Sequence, residues 1–501
     1  MLPEPNITVL GPDPPTNHRL NANSFQQHAL TSFKGWQYAV FYTAAPHDAG
    51  VRYVNVARRK TGSQNTDDRQ LWQTITLTDY EQTTDDGHNT ISLGICEGDG
   101  TLHLSFDLHS DGMRYRISRK GVATEPEEVE WHEGLFGDVV YGLLGLEGDE
   151  TAREVLAEVT YPRFLTVAGL LFLELRAGKA GAGSDVLFRY DGQSGRWEYA
   201  GRYLVGDGCN PYVNGLSVSR WETLMVSWTN RMYVEYEDQT GEAHKQQAGP
   251  NGPENNAGLG FAMSKDGGKT WTNGKEVVFE EKLFETRMRN LTDGEEVLRE
   301  RGMVADLRKG RGIDSRANDV AVDSIGIGSG KRVERKFQKG SGILNQEGQC
   351  TGPGEEFHVL MRDRIEVDGS MGESKWKHYW RKGTSGRWFM DVIGVNGLSC
   401  TDTGRRGKVI SIGETLFFVL PDNLEEKLWI VGRRGERAGV MPRDYGDFGA
   451  VWVGHGFDGE PLVDEKAADE GMLSLMTRRV EADGNKEVVV LDWMLSQEDI
   501  E

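Results

Sequence analysis

Ser264 to Trp271 reads Ser-Lys-Asp-Gly-Gly-Lys-Thr-Trp, and few stretches this short constrain a fold so tightly. The paired glycines permit left-handed backbone, the aspartate before them caps amides of the turn, and the tryptophan packs beneath it. This is a complete Asp-box, a turn between two antiparallel strands. Looser echoes stand at Asp191 to Trp197 (Asp-Gly-Gln-Ser-Gly-Arg-Trp) and at Gly383 to Trp388 (Gly-Thr-Ser-Gly-Arg-Trp). The motif predicts a repeated all-β chain and is itself expected to be structural.

Strand-like runs recur along the whole chain with turn residues between them. They group into seven clusters. The first takes Trp36 to Ala44 and Val51 to Lys60, closing at Trp72. The second takes Thr90 to Cys96, Thr101 to Leu108 and Met113 to Ser118, and the third Phe164 to Leu175, Val186 to Tyr190 and Trp197 to Tyr203. The fourth takes Leu216 to Ser219, Leu224 to Trp228 and Leu259 to Ser264, ending in the Asp-box. Later ones are Phe357 to Arg362 with His378 to Arg381 and Trp388, Val409 to Leu420 with Leu428 to Arg433, and Leu473 to Val480 with Glu487 to Trp493. A chain of 501 residues with 64 glycines suits radial repetition, which adds blades without thickening the core. The expected fold is therefore a seven-bladed β-propeller spanning 1–501 as one domain. Two insertions interrupt it, a charged stretch of helical spacing at about 280–300 and a Gly/Arg/Lys-rich segment at 309–342.

The net charge of −21 opposes nucleic-acid binding, which needs a clustered positive surface. It leaves room for a basic pocket inside an acidic shell. No stretch approaches the 18 apolar residues of a membrane span. The N-terminus lacks a signal-peptide pattern, while the sequons Asn6-Ile-Thr8 and Asn290-Leu-Thr292 lean towards an extracellular, secreted protein. Cys96, Cys209, Cys350 and Cys400 form no metal-ligand or disulfide spacing. A monomer is expected.

Propellers carry function on loops at one mouth of the central channel. Asp86-Gly-His88-Asn89 opens the second cluster, and Asp107-Leu-His109 follows an intervening hairpin that returns the two imidazoles to one end of neighbouring strands. Tyr161-Pro162-Arg163 begins the third cluster, which continues to Arg176-Ala-Gly178-Lys-Ala-Gly181-Ala-Gly183. A guanidinium there can hold a carboxylate bidentately, and the glycines let backbone approach a ligand. The fourth cluster adds Asn210-Pro-Tyr212-Val-Asn214 and Trp228-Thr-Asn230-Arg231, an aromatic and amide set suited to sugars. Each of these residues also has a plain packing role open to it.

In this order, His88-Asn89, His109, Tyr161-Pro162, Arg176 with its glycines, Trp228-x-x-Arg231 and the Asp-box resemble the bacterial-neuraminidase-repeat propellers that include polysaccharide lyases. The resemblance runs from about Trp36 to Trp271 with specific motifs and less distinctly to Trp388. Within that group the chain looks most like the fungal L-rhamnose-α-1,4-D-glucuronate lyases acting on gum arabic side chains, with ulvan lyases as the alternative. It departs from the pattern at Ala180, where serine is common, and at Asn255-Asn256, where ulvan lyases imply a histidine.

The resemblance implies β-elimination at a uronate of an acidic polysaccharide. A carbon acid beside an ionised carboxylate is very weak, so a cation must first neutralise that carboxylate. The implied roles are His109 as base, Tyr161 as acid and Arg176 on the carboxylate, assisted by His88 and Asn89. Arg231, Tyr212 and Asn214 would position the sugar. No metal or cofactor is required, and a structural cation such as calcium is compatible. A sialidase-like hydrolase would share the fold but need an arginine triad and a Phe-Arg-Ile-Pro motif that is absent. A non-catalytic carbohydrate-binding propeller would need no base.

Overall fold

The computed structural model describes residues 1–61, 71–235, 250–273, 303–315, 340–364, 366–367, 370–381, 388–434, 448–496 and 499, with strand pieces at 322–324 and 334–335. Seven sheets surround a central channel. Their innermost strands are Leu30–Phe33, Ile91–Ile95, Val159–Val167, Cys209–Val218, Gly348–Thr351, Lys408–Ile412 and Leu462–Val463. Each neighbours the next, and the last returns to the first. The ring is closed by the chain ends, because Asn6–Pro12 pairs antiparallel with Lys486–Met494 in the seventh blade. Closure of this kind removes the sheet edges that an open β array would expose.

The core lies between blades rather than inside one layer. Trp228, Trp271 and Tyr203 pack between the third and fourth blades, and Phe261, Phe357 and Trp388 between the fourth and fifth. Period-2 alternation supplies these faces, since successive side chains of a strand point to opposite neighbours.

The seven clusters predicted from sequence coincide with the seven blades, with local corrections. Phe164 to Leu175, read as one run, is a hairpin of Val159–Val167 and Leu170–Ala177. Ala168 and Gly169 turn it with φ of 51° and 77°. Val409 to Leu420 likewise divides at Gly413, giving Lys408–Ile412 and Thr415–Asp422. Two hydrophobic strands look continuous when only two residues turn the chain between them, Ala168-Gly169 in one case and Gly413-Glu414 in the other. Leu30–Phe33 and Gln73–Gln82 complete the first blade as inner and outer strands.

Of the segment read as an insertion at 309–342, Ile313–Asp314 runs parallel to Leu204–Val205 on the outer edge of the third blade. Val322–Ser324 does the same beside Trp388–Met390 of the fifth. The stretch 280–300, Asn290, and the 383–387 part of the second echo lie outside the described residues. All four cysteines are free.

The Asp-box closes the turn between Asn256–Ser264 and Thr270–Thr272. The Asp266 carboxylate accepts from Thr270 N at 2.8 Å, Thr270 Oγ1 at 2.7 Å and Ser264 Oγ at 2.9 Å. Gly267 and Gly268 hold φ of 66° and 78°, and Trp271 Nε1 donates to Gly268 O at 3.0 Å. The echo at Asp191 repeats the device, accepting from the backbone N of Gln193 and Ser194 at 3.0 and 3.2 Å. Replacing Asp266 with Ala should cost about 1–2 kcal/mol of stability, the scale of a lost capping carboxylate. A melting curve would register that loss, and no function seated at the opposite mouth should change.

Candidate active site

All inner strands begin at the same mouth of the channel, so the residues just before them, and those ending each second strand, converge there. In the second blade, His88 stands before Ile91–Ile95 and His109 follows Leu102–Phe106. The chain then crosses to the third blade: His109–Asp111 pairs with the inner strand at Val159 and Thr160. That crossover sets His109 beside Tyr161. The rings of His88 and His109 stack with centroids 3.9 Å apart and planes 15° apart.

One carboxylate holds both imidazoles. Asp86 Oδ1 is 2.5 Å from His88 Nδ1 and Oδ2 is 2.6 Å from His109 Nδ1. Burial pushes the Asp86 carboxyl up, but the hydrogen bonds and charges of His109 and His88 outweigh it and hold the group well below the usual carboxylate range. Asp86 is therefore ionised. Burial, followed by the neighbouring His109 charge, lowers His88 to about 4 against the pull of Asp86.

Asp86, His88 and His109 also form a group whose ligand atoms lie within 4.8 Å of one another. A tetrahedral metal with bonds of about 2.0–2.1 Å would keep its ligand atoms roughly 3 Å or more apart. The N···O separations of 2.5 and 2.6 Å are those of short direct hydrogen bonds.

Tyr161 sits in the inner strand of the third blade at φ 60°, inside a register shift between Thr160 and Arg163. Pro162 follows it and cannot donate to a ladder, which explains the bulge. The bulge aims the phenol into the mouth, where Phe25 meets it edge-on at 4.9 Å and Tyr212 at 6.1 Å. Among the described residues no group hydrogen-bonds its hydroxyl. Burial and then Tyr212 push the phenol up to about 12, opposed by Arg176, Arg231 and Arg406.

Arg176 ends the second strand of the third blade and is 2 % exposed. Its nitrogens meet only hydroxyls: Thr160 Oγ1 at 2.8 Å, Ser110 Oγ at 3.2 Å and Tyr212 OH at 3.3 Å. Its Nε is buried without a partner. Arg231, 8 % exposed, donates to Asn256 Oδ1 at 2.9 Å, Asn345 Oδ1 at 3.0 Å and Tyr212 OH at 3.2 Å. Among the described residues neither guanidinium has a carboxylate within ion-pair distance. Two buried cations left uncompensated are costly, and a bound anion would relieve that cost.

The structure thus gathers His88, His109, Tyr161, Arg176, Arg231 and Tyr212. It places Asn89 and Asn214 differently. Asn89 is buried and donates to Asp107 Oδ1 at 2.5 Å, supporting the turn beneath the histidines. Asn214 donates to Ser227 Oγ at 3.1 Å and lines the central channel with Gln27 and Gln349. The glycines after Arg176 pack against the fourth blade: Gly183 N donates to Asn210 Oδ1 at 3.1 Å, and a Cβ there would lie 2.6 Å from that oxygen.

Three contributors were not singled out from sequence. Asp86 was visible in its motif as a turn residue, yet only the fold shows it spanning two blades' histidines. Phe25 stacks on His88 at 5.2 Å. Arg406, from the sixth blade, lies 4.9 Å over the Phe25 ring and donates to Asn345 O at 2.6 Å.

Fold and site together define a propeller whose mouth combines two stacked histidines on one carboxylate, a phenol and two buried arginines that, among the described residues, have no ion-pair partner. Residues 36–393 match the BNR repeat-containing family, and the chain belongs to that family. Over 133 residues it is 32% identical to the long isoform of ulvan lyase from Alteromonas sp. (strain LOR), covering 22% of this chain and 13% of that enzyme. Over 158 residues it is 31% identical to the Pseudoalteromonas sp. (strain PLSV) long isoform, covering 26% and 16%. The chain therefore matches less than a fifth of the length of these curated relatives. Among solved structures, the polysaccharide lyase Uly1 superposes with a TM-score of 0.62 at 15% identity, covering 96% of this chain and 91% of that one. A PL25 ulvan lyase bound to -[GlcA(1-4)Rha3S]- gives 0.55 at 11% identity, covering 98% and 97%. At such identities these structures speak to the fold.

Proposed function

We propose that this protein is a polysaccharide lyase that cleaves a uronate-containing acidic polysaccharide by β-elimination. The carrying observation is a pair of buried arginines with no carboxylate partner among the described residues, beside an Asp86-bridged histidine pair and a Tyr161 hydroxyl that no described group bonds. A uronate carboxylate seated on Arg176, with Arg231 and Arg406 near by, would have its charge offset, and the acidity of the adjacent carbon 5 would rise. His109 Nε2 takes that proton. The released electron pair forms the C4–C5 double bond, the C4–O bond breaks, and Tyr161 protonates the departing oxygen.

With Nδ1–H on Asp86 and burial favouring the neutral ring, His88 accepts a hydrogen bond from a sugar hydroxyl. Neutralisation of the carboxylate then falls to the arginines, Tyr212 supplies an aromatic wall, and Asn89 and Asn214 support from behind. The scheme uses no metal and no cofactor. We read residues 1–501 as one propeller and a monomer, and as secreted because a polymeric substrate does not cross a membrane.

The ulvan lyase relatives favour ulvan as substrate over the rhamnose–glucuronate linkage of gum arabic. Incubation with each polymer, followed by absorbance near 235 nm, tests both levels. Growth of the band with ulvan is expected. Growth with gum arabic alone would reassign the substrate, and none with any uronate polymer would end the lyase reading.

A further inference from the structure

We infer that Asp86 is a positioning residue that locks His88 and His109 in the same tautomer, so that both present an unprotonated Nε2 to the mouth and share a single added proton. The inference deepens the lyase reading and rests on it for its kinetic consequence only.

The geometry begins with a turn. His88 N donates to Asp86 Oδ1 at 3.0 Å, and Asn89 N to Asp86 O at 3.0 Å, which leaves the carboxylate facing the two rings. An ionised carboxylate accepts only, so each imidazole nitrogen at 2.5 and 2.6 Å must carry a hydrogen. Both Nδ1 positions are thereby protonated, and each neutral ring keeps its lone pair on Nε2. Among the described residues no protein group hydrogen-bonds either Nε2. A turn-forming aspartate with no further task would need only one oxygen, whereas here the second reaches across to a residue of another strand.

Sharing follows from the stacking. Rings 3.9 Å apart cannot both be cationic cheaply, since like charges at that range raise each other's cost of protonation. The other charged and titratable groups facing the pair are Arg176 and Tyr161, with Arg406 behind Phe25. Arg176 opposes a second proton, while Arg406 is ion-paired with Glu460. A proton taken at His109 Nε2 leaves an imidazolium that Asp86 stabilises through Nδ1, and a second proton on the stacked His88 is disfavoured, which suits a base that must reload each turnover.

The test is ¹⁵N-histidine NMR of the full chain across pH, with Asp86→Asn beside the wild type. In the wild type both rings should show Nδ1–H at neutral pH, and the pair should take up one proton well before a second. In the variant the amide offers one acceptor and one donor, so one ring should switch to Nε2–H. The kcat on ulvan should then fall about 10³-fold or more with KM changed only a few-fold, the pattern of a lost tautomer rather than lost binding. Nε2–H on either wild-type ring would overturn the inference, as would an Asp86→Asn protein that keeps both tautomers or turns over within about tenfold of wild type. If the variant does not fold, the wild-type tautomers decide alone. If the wild type cleaves no uronate polymer, the lyase reading fails while the NMR result stands independently.

Discussion

Replacing His109 with Ala should reduce turnover on ulvan by about 10³- to 10⁴-fold, the upper part of the range for a general base, while the protein stays folded. The side chain is 13% exposed and sits at the rim of the site, so its removal opens space to solvent rather than to a sealed core. Its packing partner His88 remains supported by Phe25 on the other face. Asp86 would keep one imidazole instead of two, which lowers local order without touching the blades. Initial rates at 235 nm, set beside melting curves, measure both sides of the claim. Turnover close to wild type would remove His109 as the base and shift attention to Tyr161 acting in both proton transfers.

For Tyr161→Phe the expected loss is about 10²- to 10⁴-fold in kcat with almost no change in stability. The ring would keep its contacts with Phe25 and Tyr212. The hydroxyl bonds no described group, so removing it strands no partner, the usual source of large penalties. The loss should shrink on a substrate with a better leaving group, because such a group needs less protonation.

The pH dependence has a definite sign. Burial raises the phenol to about 12, so it stays protonated and able to donate throughout the working range. No alkaline decline owed to this residue should appear below about pH 11. The same raised value stabilises the fold below the unfolded phenol's pKa of roughly 10, and this contribution disappears as pH climbs towards 12. A decline centred near pH 9 that Tyr161→Phe abolished would contradict the assignment.

How much could be read in advance differs between fold and site. The repeat of short strands, the Asp-box and the glycine turns are local signals, and they located seven blades. The two runs read as single strands are hairpins, because a turn of only two residues is too short to interrupt the hydrophobic pattern. Within the site, His88, His109, Tyr161, Arg176 and Arg231 were legible because each stands at a strand end in a polar or aromatic motif. Asn214, two residues after Tyr212 and expected on its face, follows the register shift after Val213 and instead lines the channel, donating to Ser227. Arg406 carried no motif, and nothing near it in sequence ties it to Phe25, which is almost four hundred positions away.

The Asp-box shows the division most clearly. Its turn lies at the far end of Asn256–Ser264 from Asn256, which holds Arg231, and a strand of that length spans roughly 26 Å. The motif therefore marks a reactive blade from its opposite end. Sequence by itself determined the all-β class, the blade count and which residue types gather at strand ends, because period-2 alternation and turn chemistry act over a few residues. Only the tertiary structure decided that one carboxylate bridges two histidines and that, among the described residues, two buried arginines have no carboxylate within ion-pair distance and a phenol near them has no hydrogen-bond partner. Those properties depend on ring closure, which brings together groups from four blades and fixes their distances. Charge balance and tautomer are set by such distances, not by spacing along the chain.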